Sequence, residues 1–133
     1  MIGLLIVTHC DLGKEFLSAA EFIVGRIEAV DTVSITQTSD SKKLHNLIEK
    51  KIAALNSGQG VLILTDMFGG TPSNLSLSFL KEEQVEVLTG VNLPMVIAIV
   101  QNRSDQNLDE LAEIAREAGK TGISLTGKLL EPK

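Results

Sequence analysis

The stretch IGLLIVTHCDLG (residues 2–13) changes character in a single step: Ile2 to Val7 is an unbroken β-branched and leucine-rich run, and Thr8, His9, Cys10 and Asp11 follow at once, with Gly13 just beyond. A short apolar run without polar alternation has both faces buried, which is the pattern of a strand inside a parallel sheet feeding a loop. His9 therefore stands at the carboxyl end of a central strand.

Working outward, Lys14 to Ile27 carries Phe16, Leu17, Ala20, Ile23, Val24 and Ile27 at helical spacing, and Ala29 to Thr36 alternates through Val30, Val33 and Ile35 as a second strand. Ser39-Asp40-Ser41 offers a cap for a second helix with apolar Leu44, Leu47, Ile48, Ile52 and Leu55, ended by Asn56-Ser57-Gly58. Val61 to Thr65 is a third buried strand, broken by Asp66-Met67-Phe68-Gly69-Gly70. Thr71-Pro72 then reads as an N-cap and a proline at the first position of a helix reaching about Leu80.

Val85 to Thr89 is a fourth strand, Pro94 opens a short helix ending near Gln101, and Asn107 to Ala118 is amphipathic and stops at Gly119. Thr121 to Leu130 alternates weakly and is expected to form a last strand at a sheet edge. No repeat or linker interrupts the alternation, so residues 1–133 are expected to form one α/β domain: a mainly parallel sheet of order 2-1-3-4 with helices on both faces.

Composition removes several classes of function. The 133 residues are 44% hydrophobic but only 3% aromatic, without Trp or Tyr, so stacking on nucleic-acid bases is not available. A formal net charge of −5 opposes binding to a phosphate backbone, which excludes nucleic acid as a partner. The single cysteine, Cys10, cannot close an internal disulfide, and the first residues lack the basic region and cleavage site of a signal peptide, so a cytoplasmic location is expected. Leu93 to Val100 is far too short to span a bilayer.

The chemistry gathers where two strands end. In open parallel sheets ligands bind beyond the carboxyl ends of strands where the strand order reverses, and the first and third strands end on His9 and Asp66. A carboxylate beside an imidazole fixes its tautomer and leaves the other ring nitrogen free as a nucleophile, so His9 is expected to attack and Asp66 to orient it. Gly69 and Gly70 let the backbone approach an anion, and the helix after them offers unpaired N–H groups together with the hydroxyls of Thr71 and Ser73, a receptor of phosphate size.

Each feature has an ordinary reading: a histidine at a strand end is usually just polar, and Gly-Gly before Thr-Pro is common turn chemistry. Their convergence at one sheet edge is what favours a site. His45, between Leu44 and Leu47 with Lys42 and Lys43 nearby, reads as a surface histidine. Cys10 beside His9 lacks the further ligands that a zinc site needs, so neither metal nor cofactor is expected.

Three segments then carry a family likeness: LLIVTH (4–9), TDMFGGTPSN (65–74) and GVNLPM (90–95). Together, and in this order, they resemble the mannose-type enzyme IIA family of the sugar phosphotransferase system over nearly the whole chain. The resemblance implies a phosphotransferase in which His9 takes a phosphoryl group from the histidine-containing phosphocarrier protein and passes it to a histidine of enzyme IIB, which serves a membrane sugar permease. It implies Asp66 and Thr71 as supporting residues, and a homodimer whose last strand crosses to the partner's sheet. The family commonly has glycine where Cys10 stands, and a polar residue and tryptophan where Met67 and Phe68 stand. Cys10 thus either takes an ordinary backbone conformation or stores strain.

Three other readings compete with this one. The phosphotransfer subunit of dihydroxyacetone kinase resembles this fold and histidine placement but lacks the Gly-Gly-Thr-Pro helix start. A regulatory module read through its phosphorylation at His9 would use the same chemistry without transport. A flavodoxin-like nucleotide site would need a glycine-rich first loop, where this chain has Thr8-His9-Cys10-Asp11-Leu12-Gly13.

Overall fold

The computed structural model describes residues 1–132. Its elements in chain order are β1 (Gly3–His9), α1 (Leu12–Val24), β2 (Val30–Ile35), α2 (Ser41–Leu55), β3 (Val61–Thr65), α3 (Thr71–Leu77), β4 (Val85–Thr89), α4 (Leu93–Asn102), α5 (Leu108–Thr121) and α6 (Thr126–Leu129). The four strands form one parallel sheet in the order β2-β1-β3-β4. Strand order reverses between β1 and β3, and both strands deliver their carboxyl ends to that crevice.

The sheet is buried on both faces, which is why its central strands are apolar throughout rather than alternating. Ile2, Leu4, Ile6, Leu62 and Leu64 pack on one side with Ala20 of α1, Val96 and Ile99 of α4, and Leu111 and Ala115 of α5. Leu5, Val7, Val61 and Ile63 pack on the other with Leu44 and Ile48 of α2. Leu4, Leu5, Ile6 and Val7 are all fully buried, each worth roughly 1.5–3 kcal/mol of transfer free energy. Among the described residues no helix is long and apolar enough to cross a membrane.

α1 spans Leu12–Val24, beginning before Lys14 and ending before Ile27, and three other boundaries depart from expectation for a local reason. α5 runs through Gly119 to Thr121, because this glycine serves close packing and not termination: a Cβ there would stand 2.8 Å from Cε of Met95 on α4. The α3 helix stops at Leu77, short of Leu80. The Ser76 hydroxyl bonds back to the Pro72 carbonyl and that of Ser78 to the Leu75 carbonyl, a pattern that loosens helices. The final segment forms no strand: residues past Thr121 lead into α6, closed by the Leu129 and Leu130 N–H groups on the carbonyls of Leu125 and Thr126. The segment pairs with neither sheet edge, β2 or β4, and satisfies its backbone locally.

Candidate functional site

The loop after β1 is organised by Thr8, fully buried, whose hydroxyl accepts the Gly13 N–H at 2.7 Å and donates to the Cys10 carbonyl at 3.3 Å. Gly13 has to be small: a Cβ would lie 3.1 Å from the Ile6 carbonyl oxygen, so its absence lets α1 start tight against β1. Cys10 takes φ +49°, the left-handed region, while its N–H donates to the Ile35 carbonyl at 2.8 Å. Of the two conformations open to Cys10, the structure has the strained one.

This tight turn leaves His9 at the rim with its side chain 45% exposed, facing an Asp66 that is only 12% exposed. Oδ2 of Asp66 accepts the backbone N–H of His9 at 2.9 Å and its ring Nδ1–H at 2.8 Å, and Oδ1 accepts the Met67 N–H at 3.0 Å. A carboxylate can only accept, so in the neutral ring Nδ1 carries the proton and Nε2 keeps its lone pair. Burial opposes ionisation of Asp66, but the hydrogen bonds from His9, and the charge of its ring when protonated, outweigh it and hold the carboxyl below the usual carboxylate range.

The Gly-Gly turn closes on the imidazole from the other side. Gly69 is left-handed at φ +90°, and Gly70, extended at φ −89° and ψ 174°, occupies the N-cap of α3. The cap is therefore Gly70, one residue before the expected Thr71. The reason is contact with the ring, since a Cβ on Gly70 would stand 2.8 Å from Cε1 and 3.2 Å from Nε2 of His9. Pro72 has no N–H and Asn74 N–H is committed to the Gly70 carbonyl, so Thr71 and Ser73 supply the first-turn N–H groups that lack an intrahelical acceptor.

Of the residues expected at the site, His9, Asp66 and Gly70 are in direct juxtaposition, with Gly69 and Thr71 exposed beside them. Ser73 is fully buried and its hydroxyl has no hydrogen-bond partner. Met67 and Phe68 form an exposed apolar rim to the same crevice. His45 is not simply a surface residue: it is half-buried and stacked on Phe79, with ring centroids 4.5 Å apart. Helical spacing alone could not reveal that contact, because Phe79 arrives from the turn that follows α3.

The Gly90–Met95 motif lies on the sheet's other flank. Oδ1 of Asn92 accepts the Met95 N–H at 3.0 Å and its Nδ2 donates to the Gly119 carbonyl at 2.8 Å, so one side chain caps the start of α4 and the end of α5. The Thr65 carbonyl, just before Asp66, accepts the N–H groups of Gly90 and Val91, tying this motif to the end of β3. A cavity of about 360 Å³ lined by Gly58, Glu83, Asn107 and Asp109 lies at the opposite end of the sheet, away from the imidazole.

Fold and site define a doubly wound α/β domain presenting an oriented, solvent-facing imidazole and a glycine-lined helix start at its switch point. Residues 3–116 match the family described as PTS system fructose IIA component, and the chain belongs to that family. It is 32% identical over 124 residues, 92% of its length, to the PTS system mannose-specific EIIAB component of Escherichia coli, but spans only 38% of that relative. It is 30% identical to the sorbose-specific EIIA component of Lacticaseibacillus casei, covering 81% of this chain and 78% of that one. The crystal structure of a phosphotransferase system component EIIA from Streptococcus agalactiae superposes with a TM-score of 0.87 at 26% identity, covering 96% of this chain and 99% of that one.

Proposed function

We propose that the chain is a phosphocarrier of a sugar phosphotransferase system and that His9 Nε2 is the atom that carries the phosphoryl group. The observation that supports this most directly is the hydrogen bond from Nδ1–H of His9 to Oδ2 of Asp66, which in the neutral ring leaves Nε2 the nucleophilic nitrogen of an exposed side chain. Family membership supports the same reading.

In the proposed step the Nε2 lone pair attacks phosphorus of a phosphohistidine on the donor, the histidine-containing phosphocarrier protein. The donor's P–N bond breaks and its electron pair returns to the donor ring nitrogen. The Nδ1 proton stays between His9 and Asp66, whose negative charge balances the imidazolium-like ring. The phosphoryl oxygens face Gly69, Gly70 and the N–H groups of Thr71 and Ser73, with the Thr71 hydroxyl as a further donor. Transfer onward to a histidine of enzyme IIB is the same displacement in reverse, and a membrane sugar permease is the indirect beneficiary.

A homodimer belongs to this reading. Ile123, Leu125, Leu129 and Leu130 are all exposed in the single chain, as is Phe22 on α1, and a second copy would cover such residues.

The test is intact-mass spectrometry at alkaline pH after incubation with phosphoenolpyruvate, enzyme I and the phosphocarrier protein. Wild type is expected to gain one acid-labile phosphoryl group and His9→Ala none. Equal uptake by His9→Ala, or none by wild type with cognate partners, would overturn the reading.

A further inference from the structure

The polar and charged residues buried among the described residues are Thr8, Thr65, Ser73, Ser76 and Arg103. Three of them are satisfied within the chain: Thr8 by the Gly13 N–H and the Cys10 carbonyl, Ser76 by the Pro72 carbonyl, and Arg103 by the carbonyls of Glu28 and Ala29. The hydroxyls of Thr65 and Ser73 have no partner among the described residues, although both residues are fully buried. A buried hydroxyl left dry is costly, and nearly all such groups in folded proteins bond to protein or to ordered water.

The two orphans share one interface. Val61 and Ile63 pack with Leu5 and Val7 toward α2, and Thr65 follows them at the strand period of two, so its hydroxyl lies on that face. α3 covers the same face, since Leu75 and, just past the helix, Phe79 pack into this cluster. Because β3 and β4 are parallel, α3 runs back along the strands. His9 stands two strand residues past Val7, the register partner of Thr65, and Ser73 stands three helical residues behind Gly70, which abuts the imidazole. Those steps, about 6.6 Å along the strand and about 4.5 Å along the helix, return to nearly the same level. Thr89, half-buried and in register with Thr65, adds a further hydroxyl to that face.

We infer that one buried water bridges the hydroxyls of Thr65 and Ser73, and that the two are positioning residues for His9. Water suits the site because each hydroxyl can both donate and accept, and a buried water takes about two to four such partners. Thr65 adjoins Asp66, which holds Nδ1 of the ring, and Ser73 lies on the first turn of α3, whose N-cap Gly70 stands against Cε1 and Nε2. The water thus ties together the two supports of the imidazole. The positioning role rests on the phosphocarrier reading above, whereas the water itself does not.

The experiment uses the full chain as wild type, Thr65→Val, Ser73→Ala, the double variant and Thr65→Ser. A crystal structure of wild type is expected to show a water within about 2.7–3.0 Å of both hydroxyl oxygens. Hydroxyls bonded to each other, or to separate partners, overturn the inference. In thermal unfolding each single variant takes one partner from the water, so the double variant has none left to lose. Its Tm is expected to lie within about 2 °C of the lower single variant, and shifts that simply add overturn the shared site.

Phosphoryl uptake from the phosphorylated phosphocarrier protein reads the positioning role. Thr65→Val and Ser73→Ala are expected to lower kcat about three- to tenfold with KM unchanged, because neither hydroxyl reaches the surface. Thr65→Ser, which keeps the hydroxyl, stays close to wild type. An unaltered kcat in both variants, or a Thr65→Ser as slow as Thr65→Val, overturns the positioning role. Failure of wild type to take up phosphoryl at all removes the phosphocarrier reading instead, and leaves the water to be decided by the crystal structure and Tm.

Discussion

A single oxygen, Oδ2 of Asp66, holds both the backbone N–H and the ring Nδ1–H of His9, at 2.9 and 2.8 Å. The carboxylate thus fixes where the end of β1 lies and which ring nitrogen is free, two tasks that separate substitutions can distinguish. Asp66→Asn presents an amide whose oxygen can still accept but whose charge is gone. It is expected to slow phosphoryl uptake on the order of 10²-fold while leaving the residue at which uptake occurs unchanged. Single-turnover phosphorylation with peptide mapping checks this, and an undiminished rate would show that the charge on Asp66 is irrelevant.

The same pair makes a pH-dependent contribution to stability. Asp66 titrates below its unfolded value of about 3.9, so its contribution is present above that pH and is lost as pH falls through the folded pKa. Urea unfolding of wild type and Asp66→Asn is expected to show a stability gap at pH 6 that narrows steadily below about pH 4. A gap of constant size down to the acid-unfolding limit would contradict the hydrogen-bonded, ionised carboxylate described here.

Gly70 and Gly69 separate steric from conformational demand. Gly70→Ala places a Cβ 2.8 Å from Cε1 of His9 and must push the imidazole aside, whereas a Cβ on Gly69 meets nothing within 4 Å but suffers φ +90°. Both are expected to lose about 1–3 kcal/mol in chemical denaturation. Gly70→Ala should cut phosphoryl uptake much more severely than Gly69→Ala. Equal uptake by the two variants would mean that contact with the ring is not what the second glycine provides.

Cys10 stands in a left-handed conformation that costs an ordinary side chain about 1–2 kcal/mol, and glycine avoids that cost while losing about 0.5–1 kcal/mol to chain entropy. Cys10→Gly is therefore expected to raise stability by up to about 1 kcal/mol, seen as an increase of a few degrees in Tm. A lower Tm would show that contacts of the cysteine side chain compensate its backbone.

Much of this architecture is legible in the sequence because apolar runs and strand ends are local facts. Val61–Thr65 and Val85–Thr89 form strands over the very residues whose pattern predicts them, and His9 and Asp66 meet because parallel strands of order 2-1-3-4 bring their carboxyl ends together. What sequence reading misses depends on neighbours from distant segments. Gly119 looks like a helix stop until Met95 is seen against it, and His45 looks solvated until Phe79 arrives. Ser73 looks like a surface donor although α3 turns its side chain inward. A weakly alternating end such as residues 121–130 carries no internal signal of what it pairs with.

Asn92 is the clearest structural counterpart to His9, since it lies in a family-like motif yet is engaged wholly with the scaffold. Its Oδ1 caps α4 through the Met95 N–H, and its Nδ2 satisfies the Gly119 carbonyl near the end of α5, where intrahelical donors run out. Asn92→Ala removes a cap worth roughly 1 kcal/mol and leaves a partly buried carbonyl unpaired at a further ~1–3 kcal/mol, so a total loss of about 2–4 kcal/mol is expected. Asn92→Asp keeps the acceptor but not the donor, and should recover only the cap. Urea unfolding of the two variants measures both terms, and phosphoryl uptake by the folded fraction should stay within about twofold of wild type if the motif acts on packing alone. A large loss of uptake with intact stability would instead place Asn92 in the phosphoryl chemistry, through the hydrogen bonds that tie Gly90 and Val91 to the Thr65 carbonyl beside Asp66.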